Sequence, residues 1–284
     1  MSCPDCFKGT VHTGEPSGSE EIIHKVHTYV TASNSSAGAV PKSTIIFITD
    51  AFGFNLVNSK LLADYYASQT GFRVLVPDII PGGGVPLDTL TLTEAVTSPV
   101  KWWDIGGQFW WAVSLVRLLS RVIPFAVRTH GVFPSILAYA RAVKADGGKI
   151  GLAGFCWGGL QTTKLSQEPA TKGGEDGLVD CHFTAHPVGL KPKDFVESVR
   201  KFHVPLSMAL GEKDAYLKKE AVASIEAALR TELGTQEEYT YEVKVYPDCV
   251  HGFAVRADPG RIVENDAAGK ASDQAVAHFK KYLT

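Results

Sequence analysis

Short apolar runs alternate with stretches of helical period along most of the chain. Strands are expected over 22–32, 44–49, 73–76, 149–153, 182–185, 205–210 and 241–245, and helices over 56–69, 134–145, 158–167, 215–233 and 266–283. Such alternation predicts an α/β fold, a mainly parallel central sheet flanked by helices. The Ser/Ala/Gly-rich stretch 33–39 reads as a turn between two antiparallel strands rather than a linker. No internal repeat interrupts the pattern, so one domain is expected over 1–284, with residues 1–19 as an N-terminal extension.

One segment, 82–133, breaks the rhythm. It opens on Gly82-Gly83-Gly84 and carries Trp102, Trp103, Phe109, Trp110, Trp111, Phe125 and Phe133, so four of the five tryptophans fall here. Phe109, Val113, Val116 and Leu119 recur at helical spacing, while Ser114, Arg117 and Arg121 share another face. The apolar run 109–127 is broken by Arg117, Arg121 and Pro124 and falls short of a clean membrane span, which leaves a buried or lid helix as the reading. An excursion between two strands of such a sheet is where a lid or pocket wall is inserted. Trp102, Trp103, Trp110 and Trp111 are therefore candidate substrate contacts, with ordinary core packing as the alternative for each.

The 284 residues include 28 Lys+Arg and 30 Asp+Glu, a formal net charge of −2, without a basic block. That balance argues against a nucleic-acid partner. Five cysteines, an odd number scattered over the chain, do not form a secreted disulfide framework. The start, Met1-Ser2-Cys3-Pro4-Asp5-Cys6, shows neither a basic nor an apolar signal region, and a cytoplasmic location is expected. Cys3 and Cys6 have C-x-x-C spacing, but no second ligand pair follows, so no metal is expected.

The strongest local signal is Gly154-Phe155-Cys156-Trp157-Gly158-Gly159 between an apolar strand and a helical stretch. It matches a G-x-S-x-G nucleophile elbow with cysteine in the serine position. Flanking glycines leave room for a tight strand-to-helix turn that forces the nucleophile into strained backbone angles. The following helix aims N–H groups at the sulfur, and the Trp157 N–H is a candidate oxyanion donor. The alternative is a buried structural cysteine in a Gly-rich turn.

The order of the other pieces favours chemistry. Asp214 follows the strand 205–210 and His251 follows 241–245, where an acid and a base would stand after the nucleophile. Asp214 would orient His251, and His251 would shuttle a proton to and from Cys156. Glu212 competes for the acid role, and His186 is a competing base or a pocket residue. Asp50, after the strand 44–49, could accept the thiol proton or cap the following helix, and Ala51 is the second candidate oxyanion donor. Phe52 and Arg256 complete the candidate substrate contacts. For Arg256 a surface salt bridge is the alternative.

Together Asp50-Ala51-Phe52-Gly53, Pro77-Asp78, the Cys156 elbow, Asp214 and His251-Gly252-Phe253-Ala254 resemble the dienelactone hydrolase family of α/β hydrolases. The N-terminal Cys3-Pro4-Asp5-Cys6 with Gly9 and His12 is similar to its fungal branch, several members of which act in polyketide pathways, tropolone-type ones included. The resemblance implies a Cys-His-Asp triad, no cofactor, and hydrolysis of a lactone or ester through a thioester. The chain departs from bacterial members at Asp50, where they carry glutamate, and at Gly82, where they carry an arginine; Arg256 is displaced by one residue from a second family arginine. These departures and the aromatic segment point to a larger, more apolar or aromatic small molecule, bound by a monomer or homodimer without a membrane partner. Acyl transfer, a lyase or isomerase step on a polyketide, and a non-catalytic binding protein are the rival readings.

Overall fold

The computed structural model describes residues 10–32, 43–234 and 239–284. Eight strands form one sheet: β1 (Ser19–Ile23), β2 (Val26–Thr31), β3 (Ser43–Ile48), β4 (Arg73–Pro77), β5 (Lys149–Phe155), β6 (Cys181–Ala185), β7 (Leu206–Gly211) and β8 (Tyr241–Tyr246). Their order is β1-β2-β4-β3-β5-β6-β7-β8. From β4 to β8 every neighbour is parallel, and β1 and β2 add an antiparallel edge. The central strands are apolar on both faces, as a sheet covered on both sides requires.

Two expectations at the antiparallel edge need correction. The single strand expected over 22–32 is instead the end of β1, a two-residue turn, His24-Lys25, at φ 48° and 68°, and β2 of a hairpin. Such a turn normally uses Asn or Gly, so the chain gives no signal for it. The stretch 33–39 lies outside the described residues, but β2 and β3 on either side of it are not paired, because β4 lies between them.

Nine helices lie among the described residues: α1 (Val57–Thr70), α2 (Thr89–Thr97), α3 (Ile105–Thr129), α4 (Phe133–Ala145), α5 (Trp157–Leu165), α6 (Pro192–Arg200), α7 (Lys219–Leu233), α8 (Phe253–Arg256) and α9 (Ile262–Leu283). On β5 a Cβ at Gly151 would meet Phe279 and Leu283 of α9, and one at Gly154 would meet Thr162 of α5. Residues three apart on a strand face opposite ways, so α9 and α5 cover opposite faces. Helix α1 joins α9, while α4, α6 and α7 extend the row of α5. Phe47 stacks on Phe155 at 4.6 Å and Tyr66 meets Phe279 at 5.8 Å in the resulting core.

Segment 82–133 stands between β4 and α4 as the helix pair α2–α3. Of the two readings for the run 109–127, a buried or a lid helix, the buried one does not hold. Of the 25 residues of α3 only Leu118 and Phe125 are buried.

Candidate active site

Three loops at the carboxyl ends of parallel strands converge on Cys156. The first is the β5–α5 turn, where Cys156 takes φ 53° and ψ −113°. A β-carbon at Gly158 would run into the Ile48 carbonyl of β3, and one at Gly154 into the Thr162 hydroxyl. Only glycine lets the turn pass this close to the neighbouring strand and to its own helix. The Trp157 N–H opens α5, where no earlier turn of the helix offers it an acceptor.

The second loop follows β7. Asp214 is 2% exposed, and its Oδ1 accepts the N–H groups of Tyr216 at 2.8 Å and Leu217 at 3.3 Å. Its Oδ2 meets Nδ1 of His251, on the third loop after β8, at 2.8 Å with both side chains fully buried. His251 Nε2 has no nitrogen or oxygen partner and interacts with the Cys156 sulfur. Burial works against the imidazolium, but Cys156 and Asp214 outweigh it, and the His251 pKa rises to about 9. Glu212 is turned elsewhere, accepting the Asp248 N–H at 3.1 Å.

Asp50 follows β3. Its Oδ1 accepts the Phe52 N–H at 3.0 Å, and its Oδ2 pairs with Arg256 Nη1. Burial pushes the Asp50 carboxyl up and the Cys156 sulfur adds to this, while the Arg256 guanidinium pulls it down. The pair is wholly buried, and Arg256 also lies 5.0 Å over the Phe52 ring. The surface salt bridge considered for Arg256 is thus a buried one, and the guanidinium is committed to Asp50 instead of lying open to a ligand. Ala51 sits beside this pair, its carbonyl accepting the Val85 N–H at 2.7 Å. That bond ties the stretch after Gly82-Gly83-Gly84 to the candidate oxyanion loop.

His186 ends β6 at φ 39°, fully buried, with neither ring nitrogen hydrogen-bonded. Its ring lies 4.9 Å from that of His251. Burial, and then the neighbouring His251, hold its pKa well below the ordinary imidazole value. Asp214 contacts His251 and not His186, so only one of the two imidazoles has an acid behind it.

The four tryptophans do not line this site. Trp102, Trp103, Trp110 and Trp111 are 80%, 61%, 64% and 38% exposed. Trp111 stands 14 residues before Phe125, about 21 Å along the helix at 1.5 Å per residue, and it is Phe125 that meets the Trp157 ring at 6.1 Å. Helical spacing alone could not tell which end of α3 reaches the elbow. Phe125 belongs to the aromatic segment read as a candidate pocket wall, whereas Tyr216, whose ring lies 5.0 Å from His251, escaped the sequence reading as a contact. Tyr216 had one signal, its position two residues after Asp214. Cys3 and Cys6 lie outside the described residues. Among the described residues no group of three or more His, Cys, Asp or Glu is placed to hold a metal ion.

Comparison with known proteins gives the family and the fold. Residues 26–283 match the model of the dienelactone hydrolase family. The chain belongs to that family. Among its relatives is the hydrolase pyvD of Aspergillus violaceofuscus, 26% identical over 98% of this chain and 96% of that protein. The hydrolase tropI of Talaromyces stipitatus is 26% identical over 100% of this chain and 96% of its own length. A crystal structure of a putative dienelactone hydrolase from Klebsiella pneumoniae superposes with a TM-score of 0.61, covering 94% of this chain and 98% of that one at 18% identity. The fold is that of the α/β hydrolases, and membership of the family makes the chain an ester or lactone hydrolase.

Proposed function

We propose that this family member cleaves its lactone or carboxylic ester through a thioester at Cys156, with His251 and Asp214 as the proton relay. The observation that carries the reading is a cysteine in a strained left-handed turn facing an imidazole whose other nitrogen is held by a buried carboxylate. A raised His251 pKa beside the sulfur favours the thiolate–imidazolium pair, the nucleophilic form. The thiolate attacks the carbonyl carbon, and the oxyanion is held by the N–H groups of Ala51 and Trp157. Collapse breaks the acyl–oxygen bond, and His251 gives its proton to the leaving alkoxide. In a lactone the new hydroxyl stays tethered to the acyl group. His251 then takes a proton from water, whose oxygen displaces the thiolate and releases the acid.

Asp50 is the auxiliary acid or base of this reading, since it senses the Cys156 charge and shares its own with Arg256. The aromatic contacts assigned to substrate shift to Phe52 and Phe125, with His186 beside the relay. These surroundings suit an apolar or aromatic ester. A place in fungal polyketide-type metabolism in the cytoplasm is part of the proposal, supported by the similarity to fungal hydrolases. The test is a screen of lactones and aryl esters with wild type and Cys156→Ala side by side. Turnover lost by several orders of magnitude in the variant supports the reading; near wild-type turnover of the same substrate overturns it.

A further inference from the structure

Helix α3 is the anomaly of the surface. Ile105, Phe109, Val116, Ile123 and Val127 are between 55% and 82% exposed. At 100° per residue these five fall within about 40° of one another, so they form a single apolar strip along the helix. The buried Leu118 and Phe125 lie on the opposite side, facing the protein. Arg117, Arg121 and Arg128 form a second row about 120° round from the strip. Arg117 and Arg121 are exposed; among the described residues Arg121 pairs with Asp88 at 3.2 Å, and Arg128 donates to the Gly83 carbonyl at 3.3 Å. The turn before the helix adds Lys101 and the exposed Trp102 and Trp103, and Trp110 stands exposed on the first turns of α3 itself.

We propose that α3 and the tryptophan turn before it dock on an anionic phospholipid surface. A helix with an outward apolar strip, a flanking cationic row and exposed tryptophans is built to lie in the headgroup layer. It is held to the protein by α2 over part of its length and towards its far end by the Phe125–Trp157 contact, so it lies on a bilayer without crossing it. Charge decides the occupant. No Asp or Glu occurs within α3 itself, and of the acids beside it Asp88 is already paired with Arg121 and Asp104 caps the helix, so the same surface of a second copy offers these arginines few free carboxylates, whereas a lipid surface offers many phosphates. The segment 82–133 holds four cations, Lys101, Arg117, Arg121 and Arg128, against the three acids Asp88, Glu94 and Asp104, in a chain of net −2.

The experiment is flotation of the full chain with vesicles of phosphatidylcholine alone or containing phosphatidylglycerol, at low and at high salt, with solution mass measured by light scattering. Expected is co-flotation with the anionic vesicles only, weakened by salt, with a blue shift of tryptophan emission. Arg117→Gln should weaken binding about five-fold and Val116→Glu by about ten-fold or more. Phe109→Glu provides a second substitution should Val116→Glu lower the melting temperature. Absence of flotation with anionic vesicles overturns the proposal, as does equal flotation with neutral ones. A dimer that Val116→Glu converts to monomer, without vesicle binding, assigns the strip to a second copy instead.

Discussion

Replacing Arg256 with methionine would remove the cation that faces Asp50 and keep most of the packing over Phe52. Both charged groups are fully buried, so the carboxylate left behind has no water to replace its partner. Breaking a buried pair on one side costs about 3–5 kcal/mol, which at ~2–4 °C per kcal/mol for a chain of this size lowers the melting temperature by roughly 6–20 °C. Asp50→Asn should destabilise for the mirror reason, leaving the guanidinium uncompensated. The double variant should lose clearly less than the two single losses combined, because it leaves no buried charge unmatched. The deficit of Arg256→Met should also depend on pH. Burial already raises the Asp50 pKa, and without Arg256 it rises further above its unfolded value. Stability in this variant is then fullest at low pH, where the carboxyl is protonated, and is lost as pH rises through the folded pKa. Calorimetry or denaturant unfolding across pH reads all three effects. A melting temperature for Arg256→Met within about a degree of wild type, at neutral pH, would refute the account of this pair.

Three further outcomes follow from the same geometry. His182 and His278 are buried, with pKa values lowered by burial to about 3 and about 4. Their contribution to stability is present above the ordinary imidazole pKa and lost as pH falls toward those values, by about 2 kcal/mol per histidine at pH 5, so His278→Leu should flatten the acid limb of a stability profile. Gly158→Ala should abolish activity and lower stability, since the added methyl meets the Ile48 carbonyl; a variant with wild-type turnover would mean that the elbow is not as tight as described. Asp214→Asn should remove the charge that supports the His251 imidazolium and shift the basic limb of kcat/KM downward, while Glu212→Gln should leave that limb in place.

The sheet was legible because β3, β5, β6 and β7 are short, mainly apolar runs bounded by turn residues, as strands buried on both faces tend to be. The elbow was legible because close packing at Gly154 and Gly158 constrains residue type directly. That Asp214 and His251 would meet was legible from order alone, as they stand on loops after successive late strands. What escaped depends on long-range contact. The His24-Lys25 turn uses residues with no intrinsic preference for positive φ and is imposed by β1–β2 pairing. Arg256 and Asp50 stand 206 residues apart, and no local pattern says that one will neutralise the other. The aromatic segment misled for a related reason: periodicity showed that α3 has an apolar face, but not that this face points to solvent.

The central claim, covalent catalysis by Cys156, is tested most directly by intact-protein and peptide mass spectrometry after rapid acid quench of turnover on an aryl ester or lactone. The account predicts one acyl group per chain on the peptide containing Cys156, sensitive to hydroxylamine and accumulating when His251 is replaced by a residue that cannot activate water. For an ester the added mass is that of the acyl group, and for a lactone that of the whole substrate. Sustained turnover with no adduct on Cys156, together with full activity of Cys156→Ala, would contradict it.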